Sequence, residues 1–426
     1  SKVRKLLPGS FLKWKKGRIT KVDDFKYDFF NEKKIYTLSE INEIFWYKFE
    51  ASVKRCLISD VPVGVFLSGG IDSTLVTTAL KRIGNDGIKT FSIGFKKSIN
   101  DELEYSRYVA EKFKTDHTEI ILEPMNMDII SNLIINFGEP YADTSAIPTY
   151  YISKAVKDKV KVVLCGDGGD EMFGGYNTYS QVKSALNKNI FLIPFLPLFW
   201  SLKELDFNER INRFIRYAYI TGHRKSRIYP LSRTFYNSQM TQKVLTYNYK
   251  NYLNPFKYFY DEYNKYADFK EMDKVFYSDL KIPLTSTLLP KTDITGMANS
   301  IEIRAPFLDI ELMRFAFSVD PDFKLKDNIP KYLLKKILEE YFNHDFIYRR
   351  KQGFTPPIRN WLRNEKKDFL LETLSENNLN RHGIFKYDTV NKIISEFLTG
   401  KYDHSPYLWI LINFQIWFNK FNPEVI

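Results

Sequence analysis

The chain has 426 residues, 44% of them hydrophobic and 16% aromatic, with 63 Lys+Arg against 51 Asp+Glu for a net charge of +12. That length and apolar content exclude a disordered chain and allow two domains, while two cysteines exclude a disulfide framework and fit a reducing cytoplasm. The basic excess is scattered and alternates with acids, as from Asp101 to Lys114, which reads as a solvated helix face and not a nucleic-acid surface; no apolar run reaches the roughly 20 residues that span a bilayer.

In chain order, the first segment, Leu6-Leu7-Pro8-Gly9-Ser10-Phe11-Leu12-Lys13-Trp14, does not read as the start of a nucleotide domain. A helix is predicted near 40–57. Val63 to Leu67 is a strand-like apolar run that enters the turn Ser68-Gly69-Gly70-Ile71-Asp72-Ser73, and a helix follows over 72–83. Gly69 and Gly70 carry no Cβ to crowd an anion, and the backbone N–H groups of a helix start hold phosphate. The turn has no lysine, so it is not a P-loop. Asp72 stands there instead, which makes sense if it holds magnesium beside phosphates.

Strands are predicted near 88–95 and 117–122, with helices near 101–115, 126–137 and 146–158. A last strand near 160–165 runs into Gly166-Asp167-Gly168-Gly169-Asp170-Glu171-Met172-Phe173-Gly174-Gly175-Tyr176, five glycines and three acids in one turn. The alternation implies a parallel sheet with helices on both faces. Ligands gather at the carboxyl ends of such strands, so both glycine loops should open on one edge, with Asp72 and Asp170 sharing one magnesium. After about residue 180 the strand signal disappears. Helical patterns follow at Ser278–Leu288, Ile310–Phe317, Lys331–Tyr341 and Val390–Leu398, and Tyr407–Phe421 should be a buried terminal helix.

The Ser-Gly-Gly-Ile-Asp-Ser turn resembles the pyrophosphate loop of the N-type ATP pyrophosphatases. Together with Phe91-Ser92-Ile93-Gly94-Phe95, Gly138-Glu139-Pro140 with Asp143 to Thr149, Glu302 to Asp309, and Tyr348-Arg349-Arg350-Lys351-Gln352-Gly353-Phe354, it resembles the synthetase half of the glutamine-dependent asparagine synthetases over nearly the whole chain. The resemblance implies an α/β class: a parallel-sheet, adenine nucleotide alpha hydrolase-like (N-type ATP pyrophosphatase) domain over 36–185, followed by a mostly helical C-terminal region over 186–426. Residues 1–35 are expected to be the end of a glutaminase domain plus a linker. The chain starts with Ser1 and lacks the N-terminal cysteine on which glutamine hydrolysis depends. It is therefore expected to use free ammonia or a missing glutaminase partner.

The implied reaction is adenylation of a carboxylate, foremost the side chain of aspartate in this family, followed by attack of ammonia to give an amide, AMP and pyrophosphate. Leu67, Ser68, Gly69, Gly70, Asp72, Ser73, Ile93, Gly166 and Lys351 are the expected ATP and pyrophosphate contacts, with Asp72 and Asp170 as magnesium ligands. Asp167 stands where the family carries a glutamate that takes a proton from the attacking nitrogen, one methylene shorter. Lys351 is expected to add a mobile positive charge. The best-known asparagine synthetases carry an arginine in the segment matching Thr144–Thr149, and here there is none, which leaves the acceptor open between aspartate and another carboxylate such as a sugar acid. β-Lactam formation through a Tyr348–glutamate pair and a non-catalytic scaffold are weaker alternatives. Glu302 and Arg304 read equally well as a buried ion pair or as ligand contacts. Cys56 and Cys165 read as core residues. A cytoplasmic enzyme without nucleic-acid partners or stable membrane insertion is expected, and the resemblance also admits a homodimer.

Overall fold

The structure, a computed structural model, describes residues 5–24, 33–95, 103–122, 128–195, 197–198, 209–246, 254–266, 268–350 and 356–423. Strands β1 (Ser10–Lys15) and β2 (Arg18–Asp24) form an antiparallel ribbon, on which Leu12, Trp14, Ile19 and Val22 are exposed. Helix α1 (Leu38–Cys56) begins at a capping box: the Glu40 N–H donates to Thr37 Oγ1 while the Thr37 N–H donates to the Glu40 carboxylate. Ile41, Phe45, Phe49 and Val53 recur at helical spacing and form its fully buried face.

The centre is a five-stranded, all-parallel sheet in the order β5-β4-β3-β6-β7, built from β3 (Val63–Phe66), β4 (Lys89–Phe95), β5 (Asp116–Leu122), β6 (Val162–Leu164) and β7 (Glu302–Arg304). Between them run α2 (Ile71–Arg82), α3 (Leu103–Phe113), α4 (Asp128–Phe137) and α5 (Ala146–Val156). Successive strand residues face opposite sides, and both sides are covered. Val65 and Leu164 join Phe45 and Val76 in one core, whereas Phe91 and Val163 join Ile152 and Val156 in another. A third core gathers Ile130 and Ile134 of α4 with Leu408 and Ile412 of the terminal helix Ser405–Phe421, which is buried as its composition predicts.

Two features depart from the expected elements. The strand signal does not end near residue 180: Glu302, Ile303 and Arg304 pair with Val162, Val163 and Leu164 and complete the sheet. Three residues with a charge at each end carry no strand pattern, and pairing to β6 alone makes them a strand. Leu280–Leu288 is a π-helical stretch containing Pro283, continuous with the α-helix Leu289–Met297. Such wide turns inside helices are common at functional sites.

Among the described residues no helix is long and apolar enough to cross a membrane. The segment Ile190–Trp200 falls partly outside the described residues.

Candidate functional site

The strand order fixes where a ligand can enter. Successive strands step outward from β3 through β4 to β5 on one side, and from β6 to β7 on the other. The loops leaving β3 and β6 therefore diverge and open a crevice at the carboxyl ends of these two neighbours. A cavity of about 850 Å³ lies there, lined by both glycine loops, by Phe91, Ser92 and Ile93 of β4, and by Lys291, Lys331 and Arg349 from the C-terminal half.

The first loop is held by its own side chains. Gly69 has φ +70°, and a Cβ on it would meet backbone atoms of Tyr105 and Ser106 at 2.6 Å. Gly70 caps α2. The Ser68 N–H donates to Ser73 Oγ at 3.2 Å and the Gly70 N–H to Ser68 Oγ at 3.2 Å, so two amides of the loop are satisfied by its own hydroxyls. Arg349 Nη2 donates to the Gly69 carbonyl at 2.8 Å, and its guanidinium stacks 3.7 Å from the Tyr105 ring centroid.

The second loop turns through Gly168 at φ +92° into the short helix α6 (Gly169–Phe173). It closes on Asp72: a Cβ on Gly166 would lie 2.6 Å from Asp72 Cβ, and one on Gly169 2.5 Å from Asp72 Oδ1. Asp72 and Asp170 are thereby brought to one cation, the ammonium of Lys331, which bonds Asp72 Oδ2 and lies 2.7 Å from Asp170 Oδ1. Burial disfavours the lysine's charge, but Asp170 and Asp72 outweigh it and hold the ammonium well above the usual lysine range. Lys335 nearby is pushed down by burial and then by Lys331. Behind Asp170, Glu171 is pushed up to about 7 by burial and by the Asp170 charge, and accepts a 2.5 Å hydrogen bond from Tyr176.

Among the described residues no three metal-ligating side chains cluster together. Two carboxylates meeting on one cation do fit magnesium, whose remaining ligands are characteristically water and substrate phosphate oxygens.

The cavity is also lined by Ser145, Thr149, Cys165, Leu288, Lys291 and Thr292. Thr292 Oγ1 donates to Asp167 Oδ2 at 2.6 Å, which fixes that carboxylate. Cys165 lines the cavity instead of lying wholly within the core, and burial and then the Asp167 charge push its thiol far up, so it stays protonated. Cys56 is half-buried.

Of the residues expected from the sequence, Leu67, Ser68, Gly69, Gly70, Asp72, Ser73, Ile93, Gly166, Asp167 and Asp170 all line this one cavity. Lys351 lies outside the described residues. Glu302 and Arg304 do pair, Arg304 Nε donating to Glu302 Oε1 at 2.7 Å, but not as a buried pair and not in this cavity. The Glu302 side chain is 56% exposed, because three-residue β7 is an edge strand, and Arg304 instead ties it to the Cys56 and Ile58 carbonyls. Tyr348 donates to Glu339 at 2.7 Å, and burial and then Glu339 push its phenol up. Sequence reasoning missed Lys331, Lys291 and Thr292, and gave Arg349 no role of its own. Arg349 lies within the recognised basic loop, whereas Lys331 carries no local signal.

A family profile described as asparagine synthase matches residues 47–419. The chain is 31% identical over 381 residues to asparagine synthetase [glutamine-hydrolyzing] 1 of Bacillus subtilis, covering 86% of this chain and 57% of that protein. It is 29% identical over 382 residues to a putative asparagine synthetase [glutamine-hydrolyzing] of Mycobacterium bovis, covering 86% and 56%. A stretch of 130 residues is 42% identical to putative asparagine synthetase [glutamine-hydrolyzing] 2 of Methanocaldococcus jannaschii, covering 30% and 25%. The chain thus spans a little over half the length of the first two of these relatives.

Proposed function

This chain belongs to the asparagine synthase family, and from that premise we propose that it is an AMP-forming carbon–nitrogen ligase that amidates a carboxylate, foremost aspartate, with ammonia. A carboxylate does not react with ammonia in water, because its leaving group would be oxide. Attack of that carboxylate on the α-phosphorus of ATP, with loss of pyrophosphate, exchanges oxide for AMP as the group to be displaced. Ammonia then adds to the acyl carbon and AMP departs.

The chain's own groups suit these steps. Phe91, Ser92 and Ile93 line the cavity where the adenosine end would rest, and the Ser68–Ser73 turn lines it where the polyphosphate would lie. When bound at Asp72 and Asp170, magnesium would neutralise the charge that develops on the departing pyrophosphate. Lys331 supplies a fixed ammonium at the same point, Arg349 brings further positive charge from the late loop, and Lys351 of the same loop would add a mobile one. Asp167, oriented by Thr292, accepts the proton that the attacking nitrogen must lose. The nitrogen source of a longer protein would be glutamine, through a glutaminase domain, with the ligase working in the cytoplasm.

One observation carries this reading. Two carboxylates 98 positions apart in the chain (72 and 170) meet on one buried lysine, in a cavity at the point where the sheet's strand order reverses. It is tested by ATP–pyrophosphate exchange with a panel of carboxylates. Exchange should depend on the carboxylate and fall by about 100-fold or more in Asp72→Asn, as expected when a group neutralising transition-state charge is removed. Undiminished exchange in that variant would refute it.

A further inference from the structure

We propose that Lys291 receives a second, non-reacting carboxylate of the acceptor and so selects a dicarboxylic acid, such as a dicarboxylic amino acid, over its monocarboxylic analogue. This rests on the amide-ligase reading above. Lys291 is only 8% exposed, yet it lines the cavity. Among the described residues, no carboxylate, carbonyl or hydroxyl bonds its ammonium. The neighbouring charges are already engaged: Asp72 and Asp170 by Lys331, and Asp167 by the Thr292 hydroxyl. The Lys291 stem is buried while its ammonium opens on the cavity, a cation that none of the described groups around it bonds. A site that keeps one in its wall is built for an anion that arrives with the ligand.

Position narrows which anion. Lys291 immediately precedes Thr292, whose hydroxyl holds Asp167, the group assigned to the attacking nitrogen. The charges of Lys291 and Asp167 both act on the Cys165 thiol, which puts all three in one corner. An anion at Lys291 is therefore near the acyl carbon. The backbone there is firmly set: Thr295 Oγ1 donates to the Lys291 carbonyl at 2.7 Å, and Asn299 Nδ2 reaches the Tyr150 carbonyl of α5 at 3.3 Å.

The test uses the whole chain and matched acceptor pairs, each a dicarboxylate and the same molecule without its second carboxylate. Aspartate and 3-aminopropanoate are the first pair. Carboxylate-dependent pyrophosphate exchange is measured for wild type, Lys291→Met and Lys291→Arg, with thermal melting in the presence and absence of ATP as the folding control. Wild type should prefer the dicarboxylate. Lys291→Met should collapse the dicarboxylate-to-monocarboxylate ratio of kcat/KM by at least about tenfold, mainly through KM, as expected for a lost charge-assisted hydrogen bond. Lys291→Arg should restore most of it. Equal loss for both members of a pair, or a wild type that favours the monocarboxylate, would overturn the assignment and leave the ligase reading intact. A folded wild type that exchanges with no carboxylate would overturn both. An unfolded Lys291→Met hands the decision to Lys291→Arg, which must then keep the preference.

Discussion

Lys331 sits at the N-terminus of helix Tyr332–Leu338 with φ +55°, an uncommon conformation for a residue with a side chain. Held there, its ammonium joins Asp72 and Asp170, and only 6% of the side chain is exposed. Lys331→Met leaves two mostly buried carboxylates facing each other. Without magnesium or nucleotide, the variant should lose about 3–5 kcal/mol in denaturant unfolding, the scale for removing one partner of a buried ion pair. Adding Asp72→Asn to it should recover part of that loss, because one of the repelling charges is gone. Additive losses would show that the three side chains do not act as a unit. This centre was half legible. Asp72 and Asp170 are announced by the glycines around them, but Lys331 lies 259 positions beyond Asp72 in a segment without any motif. Only the tertiary fold brings it there.

At the scale of elements, β3 and β6 are readable because short apolar runs end in glycine turns, β4 and β5 because they alternate with helical patterns, and α1 because it combines a cap with an apolar stripe. β7 was not readable, since its strand character comes from its partner, nor was the π-helical stretch, whose apolar residues look the same in either helix type. The first glycine loop allows the two demands on a glycine to be separated. Gly69 and Gly84 both have positive φ, +70° and +76°, but only Gly69 lies against backbone, and a Cβ on Gly84 would meet nothing within 4 Å. Gly84→Ala should therefore cost about 1 kcal/mol of conformational strain and leave nucleotide affinity unchanged. Gly69→Ala should cost more and also displace the loop from Tyr105 and Arg349, weakening ATP binding by about tenfold or more in titration calorimetry. Equal nucleotide affinity in the two variants would mean that the packing of Gly69 is irrelevant to the site.

Across the whole molecule, the C-terminal half does more than surround the sheet: it supplies β7, Lys291, Lys331 and Arg349, so neither half makes the cavity alone. The charges that join distant segments were illegible in the sequence for the same reason as Lys331. Lys33 reaches Asp273 at 2.8 Å and the Phe317 and Val319 carbonyls at 2.7 and 3.0 Å. Beside them Lys324 is wholly buried, its ammonium 4.7 Å from the Phe317 ring centroid and 5.3 Å from that of Phe276. Burial pushes this lysine down to about 7, while Asp273 opposes the change without cancelling it. The unfolded chain keeps the ordinary value of about 10.4, so between these values it binds more protons than the folded chain. Stability from this group therefore rises with pH from about 7 to 10.4, and below about 7 its full penalty applies. Lys324→Met removes the penalty and leaves Asp273 paired with Lys33. Relative to wild type, the variant should gain at least about 1 kcal/mol more in denaturant unfolding at pH 6 than at pH 9.5, since a tenfold difference in proton affinity between the folded and unfolded chain is worth about 1.4 kcal/mol. A gain that is the same at both pH values would mean that Lys324 titrates alike in the folded and unfolded chain, and that its aromatic surroundings and Asp273 stabilise the charge as well as water does.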